Sequence, residues 1–214
     1  MLKDLVVPKT PFKYRNITIS GLPGSGSTTL LNGLKQALQF AGWKGYNGGE
    51  FMRAYAKEKG LFQEKAGLHH DATHYEDEFD FQVDMGMRQR LQSEDKWILE
   101  SWLSGFLAQG VEGVLKVLVV CSDKAVRVDR IVNRDDVSPE EAIKNMNERY
   151  QRNLTKWRRM YQDLWREWVV EPGTMRPTDP IDFWHPNLYD LVLDTFKLNK
   201  NQTVQAVLDA LEKD

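Results

Sequence analysis

Apolar positions along this chain change period repeatedly, and each change marks a predicted element. Between Tyr14 and Ser20 a β-branched run, Ile17-Thr18-Ile19, ends in a glycine cluster and predicts a buried strand feeding a tight turn. From Thr28 to about Phe40 the residues Leu30, Leu31, Leu34, Ala37 and Leu38 recur with helical spacing, closed by Ala41-Gly42. Trp43 to Asn47 predicts a short strand, and Gly48-Gly49 opens a helix with Phe51, Met52, Ala54, Tyr55 and Ala56 that stops at Gly60. Phe79, Val83, Met87 and Leu91 step by four, which gives a helix over about 75–93, acidic near its start and with Arg88 and Arg90 near its end. Trp97 to Glu100 reads as a strand. Val114 to Cys121 is almost unbroken apolar sequence, as in a strand buried on both faces, and implies a parallel sheet.

Helices are then predicted over Lys124–Arg134, capped by Ser122 or Asp123, and from Ser138-Pro139-Glu140-Glu141 to about Trp168. The second is long enough to imply an arm or lid with a break in it. Pro172, Pro177, Pro180 and Pro186 make 171–187 an irregular loop. Leu188–Asp194 is the last strand and Thr203–Leu211 a closing helix. Strands alternating with helices predict an open α/β sheet.

Composition narrows the picture. A chain of 214 residues fits one domain, and 41% hydrophobic with 28% charged residues excludes disorder as the main state. Cys121 is the single cysteine, so no intrachain disulfide forms and the expected compartment is cytoplasmic. No apolar stretch reaches the roughly 18–20 residues that cross a bilayer, and the first residues lack the design of a secretory signal. A net charge of −2 argues against a surface built for a nucleic acid polymer. A monomer is expected. Of seven tryptophans, Trp102, Trp157, Trp165, Trp168 and Trp184 follow residue 100, and most belong in a core.

One segment carries chemistry. Gly21-Leu22-Pro23-Gly24-Ser25-Gly26-Ser27-Thr28 has the glycine frame of a phosphate-binding loop, between a strand and a helix as that loop requires. Glycines let backbone N–H groups turn toward a phosphate, the helix N-terminus adds its positive end, and the Thr28 hydroxyl is a ligand for Mg²⁺. Ser27 stands where lysine would touch the β- and γ-phosphates. The competing reading is a ligand-free turn. A missing charge must come from elsewhere in a catalyst, and Arg149, Arg152, Lys156, Arg158 and Arg159 lie on the long helix, in a segment able to fold over phosphates. Arg127, Arg130 and Arg134 share one face of the preceding helix, for a base or phosphate or for surface ion pairs.

These residues resemble the cytidylate kinase family, in particular its compact archaeal-type branch among the nucleoside monophosphate kinases. Ile17 through Thr29 is similar to that branch's opening, where a hydroxyl residue often replaces the lysine. Gly49-Glu50-Phe51-Met52-Arg53 is similar to the segment whose arginine holds the acceptor phosphate. Asp80 and Asp84 match a D-x-x-x-D helix beside the acceptor, Arg127 to Arg134 and Glu148-Arg149 through Lys156-Trp157 and Tyr161 resemble the lid start and its cations, and Leu188–Thr195 resembles the closing strand. The resemblance implies a single P-loop kinase domain over 1–214, of the three-layer nucleoside-monophosphate-kinase type, with a parallel five-stranded sheet. An acceptor-binding helical region falls at about 48–95 and a helical lid at about 134–168.

It implies ATP as phosphoryl donor, Mg²⁺, and CMP or dCMP as acceptor. Gly21, Leu22, Pro23, Gly24, Ser25, Gly26, Ser27, Thr28 and Thr29 would hold the donor together with Arg127 and Arg130. Arg53, Asp80 and Asp84 would hold the acceptor, and Arg149 and Lys156 would close over the transferring group. The chain departs from the pattern at Trp102, where the family has arginine, at Lys156-Trp157, and in the longer 169–187 stretch with Trp184 and His185.

Two other readings stay open. One is a kinase-fold module that binds nucleotide without catalysis, with an exposed tryptophan-rich C-terminal third as a partner surface. The other is a kinase for a different small acceptor. His70 and His74 share i, i+4 spacing but lack the glutamate of a zinc helix, so surface or acceptor-site histidines are expected.

Overall fold

The computed structural model describes residues 5–7, 11–58 and 77–212, excepting the side chains at 53 and 55–57. Its centre is a five-stranded parallel sheet of β1 (Asn16–Gly21), β2 (Lys44–Asn47), β3 (Trp97–Glu100), β4 (Val114–Val120) and β5 (Leu191–Asp194) in the order β2-β3-β1-β4-β5. Register pairs Ile17 with Ile98 and with Leu115, and Val119 with Leu193. Helices α1 (Ser27–Leu38), α2 (Gly48–Glu58), α3 (Asp77–Ser93), α4 (Ser104–Leu107), α5 (Lys124–Asp135), α6 (Pro139–Met160), α7 (Gln162–Trp165) and α8 (Lys200–Leu211) surround it.

The pleat of β1 divides the core in two. Ile17 and Ile19, fully buried, join Ile98, Leu115 and Val117 under α1 and α8. Asn16, Thr18 and Ser20 alternate with them and are equally buried. Two of these polar groups hold the far layer: Asn16 Nδ2 donates to the Leu91 and Glu94 carbonyls, and Ser20 Oγ accepts from the Gly105 amide at 2.9 Å. On that side α3, α4, α6 and the chain after it form a larger core around Phe106, Tyr161 and Phe183.

Several expected boundaries move. The first helix gives way to a 3-10 turn at Gln39–Ala41. The last strand is shorter than the predicted Leu188–Asp194 because Pro186–Leu188 turns as 3-10 helix. The closing helix begins earlier, at Lys200, because Asn199 and Gln202 form a reciprocal capping box. The long helix breaks at Tyr161, after which come α7 and a π-helical turn at Arg166–Val170. Tyr161, Trp165 and Val169 are buried there, so the end of the expected 134–168 lid is core, not arm. The expected exposed tryptophan surface is corrected too, since Trp157, Trp165 and Trp184 are all buried. Among the described residues no helix is long and apolar enough to cross a membrane. Gly60, His70 and His74 lie outside the described residues.

Candidate active site

Between β1 and α1 the chain passes through Gly24 at φ 80° and Gly26 at φ 97°, left-handed values that glycine adopts without steric cost. A Cβ on Gly24 would lie 2.6 Å from the Arg127 carbonyl oxygen. Three successive loop carbonyls are held from behind. Arg127 Nε donates to Pro23 O at 2.9 Å, Arg130 Nη1 to Gly24 O at 3.1 Å, and Thr195 Oγ1 to Ser25 O at 2.6 Å. Arg130 also donates to the hydroxyl and carbonyl of Thr195. Peptide units anchored by their oxygens are fixed in orientation, and α1 starts without a side-chain cap or an acid in its first turn. Among the described residues the buried Ser25 Oγ has no hydrogen-bond partner. This cradle fits a phosphate, which supplies the missing acceptors and meets the positive end of α1.

Ser27 spends its hydroxyl differently from a loop lysine. Its Oγ donates to Glu100 Oε1 at 2.8 Å, at the C-terminal end of β3. Burial raises the Glu100 carboxyl above the ordinary range, against the pull of hydrogen bonds from Ser27 and Thr28. In the sequence Glu100 reads only as the end of a strand; its contact with the loop comes from the pairing of β3 with β1. The Thr28 hydroxyl and the Glu100 carboxylate are hard oxygen donors of the kind Mg²⁺ takes alongside phosphate oxygens. Among the described residues no group of three His, Cys, Asp or Glu side chains could hold a metal, so any such ion would rely on few protein ligands.

Two cavities meet at this point. One, of about 780 Å³, follows the loop toward Arg130, Thr195 and Lys200; the other, of about 320 Å³, runs between Asn47-Gly48-Gly49 and the Asp80 and Asp84 carboxylates. Thr28, Glu100, Trp102 and Arg149 line both. Thr29 lines the first only. Arg53 is placed on α2, and its side chain lies outside the described residues.

Two expected cations sit elsewhere. Arg127 does not line the larger cavity; its guanidinium braces the loop from outside. Lys156 lines neither cavity and, almost fully buried, gives its ammonium to Asp80 at 2.8 Å and Asp77 at 3.3 Å. It orients a wall of the smaller cavity, which the sequence cannot reveal because α3 and α6 are brought together only in the fold.

Beside this pair, the Tyr161 hydroxyl donates to Asp84 Oδ2. Burial pushes the Asp84 carboxyl up to about 7, with Asp80 adding to the rise, and burial likewise raises the Tyr161 phenol. An acid that is harder to ionise in the folded chain stabilises the fold while protonated. The Asp84 contribution is therefore full below the ordinary aspartate value near 3.8 and is lost as pH rises through about 7. Urea midpoints measured across that window are expected to fall with rising pH, and Asp84→Asn to flatten the slope; an unchanged slope in the variant would assign it to another group.

Comparison with known proteins gives the family and the fold. Residues 16–197 match the cytidylate kinase-like family. The chain belongs to that family. A cytidylate kinase of Methanosarcina acetivorans is 28% identical over 197 residues, covering 92% of this chain and 96% of the relative. One from Thermococcus sibiricus is 32% identical over 206 residues, covering 92% and 90%. In fold, the chain is similar to a crystal structure of an uncharacterized protein from Eubacterium ventriosum, with a TM-score of 0.61 at 13% identity over 92% of this chain and 98% of that one. As a cytidylate kinase-like protein the chain is a kinase of the nucleoside monophosphate class on a P-loop fold, and the family implies use of ATP.

Proposed function

We propose that this protein transfers the γ-phosphoryl group of ATP to CMP or dCMP, giving the diphosphate, with Mg²⁺. The observation that carries the reading is the meeting of two cavities at Thr28, Glu100 and Arg149, which lets a donor in one face an acceptor in the other. The loop from Gly21 to Thr29 holds the donor phosphates, and Arg130 orders the loop while lining the donor cavity. Thr28 and Glu100 hold Mg²⁺, which when bound neutralises phosphate charge. Arg53 takes the acceptor phosphate. Asp80 and Asp84 accept hydrogen bonds from the amino or hydroxyl groups of the acceptor, with Lys156 and Tyr161 fixing their orientation. Arg149 faces the transferring group and supplies the positive charge that Ser27 does not. Positioning and charge neutralisation are most of what such a transfer needs.

The test is ADP formation by the purified protein with ATP and Mg²⁺ against CMP, dCMP, UMP, AMP and GMP, with Thr28→Ala as control. Turnover selective for CMP or dCMP and lost in the variant is the expected result. Absence of turnover with every monophosphate, while ATP still raises the melting temperature, would overturn the reading in favour of a binding module or another acceptor.

A further inference from the structure

One of the four residues that line both cavities is aromatic. Trp102, two residues past β3, is half-buried, and its ring meets Trp157 edge-on at 5.5 Å and Trp184 at 6.1 Å. The indole N–H of Trp184 donates to the Trp102 carbonyl at 2.9 Å, fixing the backbone as well as the ring. Tyr150 packs on Trp184 at 5.5 Å, and Arg158 donates to the Ile181 carbonyl, so α6 and the proline-rich segment are tied together on both sides of the cluster. Over the Trp102 ring lies the Arg149 guanidinium, its Cζ 5.0 Å from the centroid. Both residues line both cavities.

We propose that Trp102 is a positioning residue: its indole, braced by Trp157 and Trp184, holds the Arg149 guanidinium by a cation–π contact at the junction of the two cavities. The inference rests on the kinase reading above. A guanidinium held against a ring keeps its positive charge, and its terminal N–H groups stay available to donate to phosphate oxygens. Desolvation at the wall strengthens the attraction to the ring. Tryptophan at 102, where an arginine was expected, thus replaces a second charge by control over the first. The segment around Trp184 also acquires a task, that of a strut behind the ring.

The experiment is calorimetric binding of adenosine–cytidine pentaphosphate, which spans both cavities and needs no turnover. Trp102→Leu is expected to weaken binding about tenfold in the presence of Arg149 and to have no further effect in an Arg149→Ala background. Trp102→Phe, which keeps a ring, is expected to stay within about threefold of the native protein. Should Trp102→Leu not fold, Trp184→Phe serves instead, since it keeps the aromatic ring but removes the N–H bond; about threefold weaker binding is expected, again only while Arg149 is present. Equal weakening with and without Arg149 would show that Trp102 is merely structural and overturn the inference alone. Failure of the native protein to bind the compound would overturn the kinase reading and, with it, the role given to Trp102.

Discussion

Arg149→Ala is expected to lower turnover by about 10³-fold or more, with a far smaller change in KM for ATP. The size follows from where positive charge is available. Ser27 brings none to the loop and is bonded to Glu100. Arg130 is committed to the Gly24 carbonyl and to Thr195, and Lys156 to Asp80 on the far wall. Among the described residues that line both cavities, Arg149 is the cation. Charge that develops on a transferring phosphoryl in a water-poor site is stabilised far more by a fixed guanidinium than the ground state is, so the loss falls on kcat. Steady-state kinetics on Arg149→Ala and Arg149→Lys decide the matter: lysine should restore part of the rate, keeping charge but not the fork. Near-normal turnover in the alanine variant would remove Arg149 from the mechanism.

The second large effect concerns stability. Phe106, on α4, is fully buried among Phe183 at 4.9 Å, Trp168 at 5.5 Å, Tyr161 at 5.8 Å and Trp165 at 6.1 Å. Four large rings cannot close over the space left by a truncated one, because each is already held by its own neighbours. Phe106→Ala is therefore expected to cost about 3–5 kcal/mol of unfolding free energy, read from urea unfolding at unchanged slope. A loss below about 1 kcal/mol would mean that the rings around Phe106 repack freely. The same cluster joins α4 to the chain beyond Tyr161, so its loosening would also be felt at the Trp184 strut.

How much of this was legible in the sequence depends on the range of the forces involved. β4 declares itself because six apolar residues in a run of seven need cover on both faces. The loop is readable because glycine at 24 and 26 serves a purely local purpose, the left-handed turn. The helix break at Tyr161 is not local: it lets that side chain reach Asp84, 77 positions earlier. Helix α4 has only four residues, too few for a periodic pattern to register. Lys156 looks like any lid cation until α3 is packed beside it, and Glu100 looks like a strand end until β3 pairs with β1. Contacts set by a neighbour in sequence were readable; those set by a neighbour in space were not.

The bracing of the loop by Arg127, Arg130 and Thr195 also bears on how the molecule is made. β1 is made before the two strands that flank it, β3 and β4, which reach to Val120. At roughly 5–20 residues per second of synthesis, the intervening stretch of about 100 residues leaves β1 without partners for roughly 5–20 s. Thr195 emerges later still, after the last strand. A nascent chain therefore holds its phosphate cradle incompletely braced until Thr195 has been made, and nucleotide meets the finished cradle only after that point.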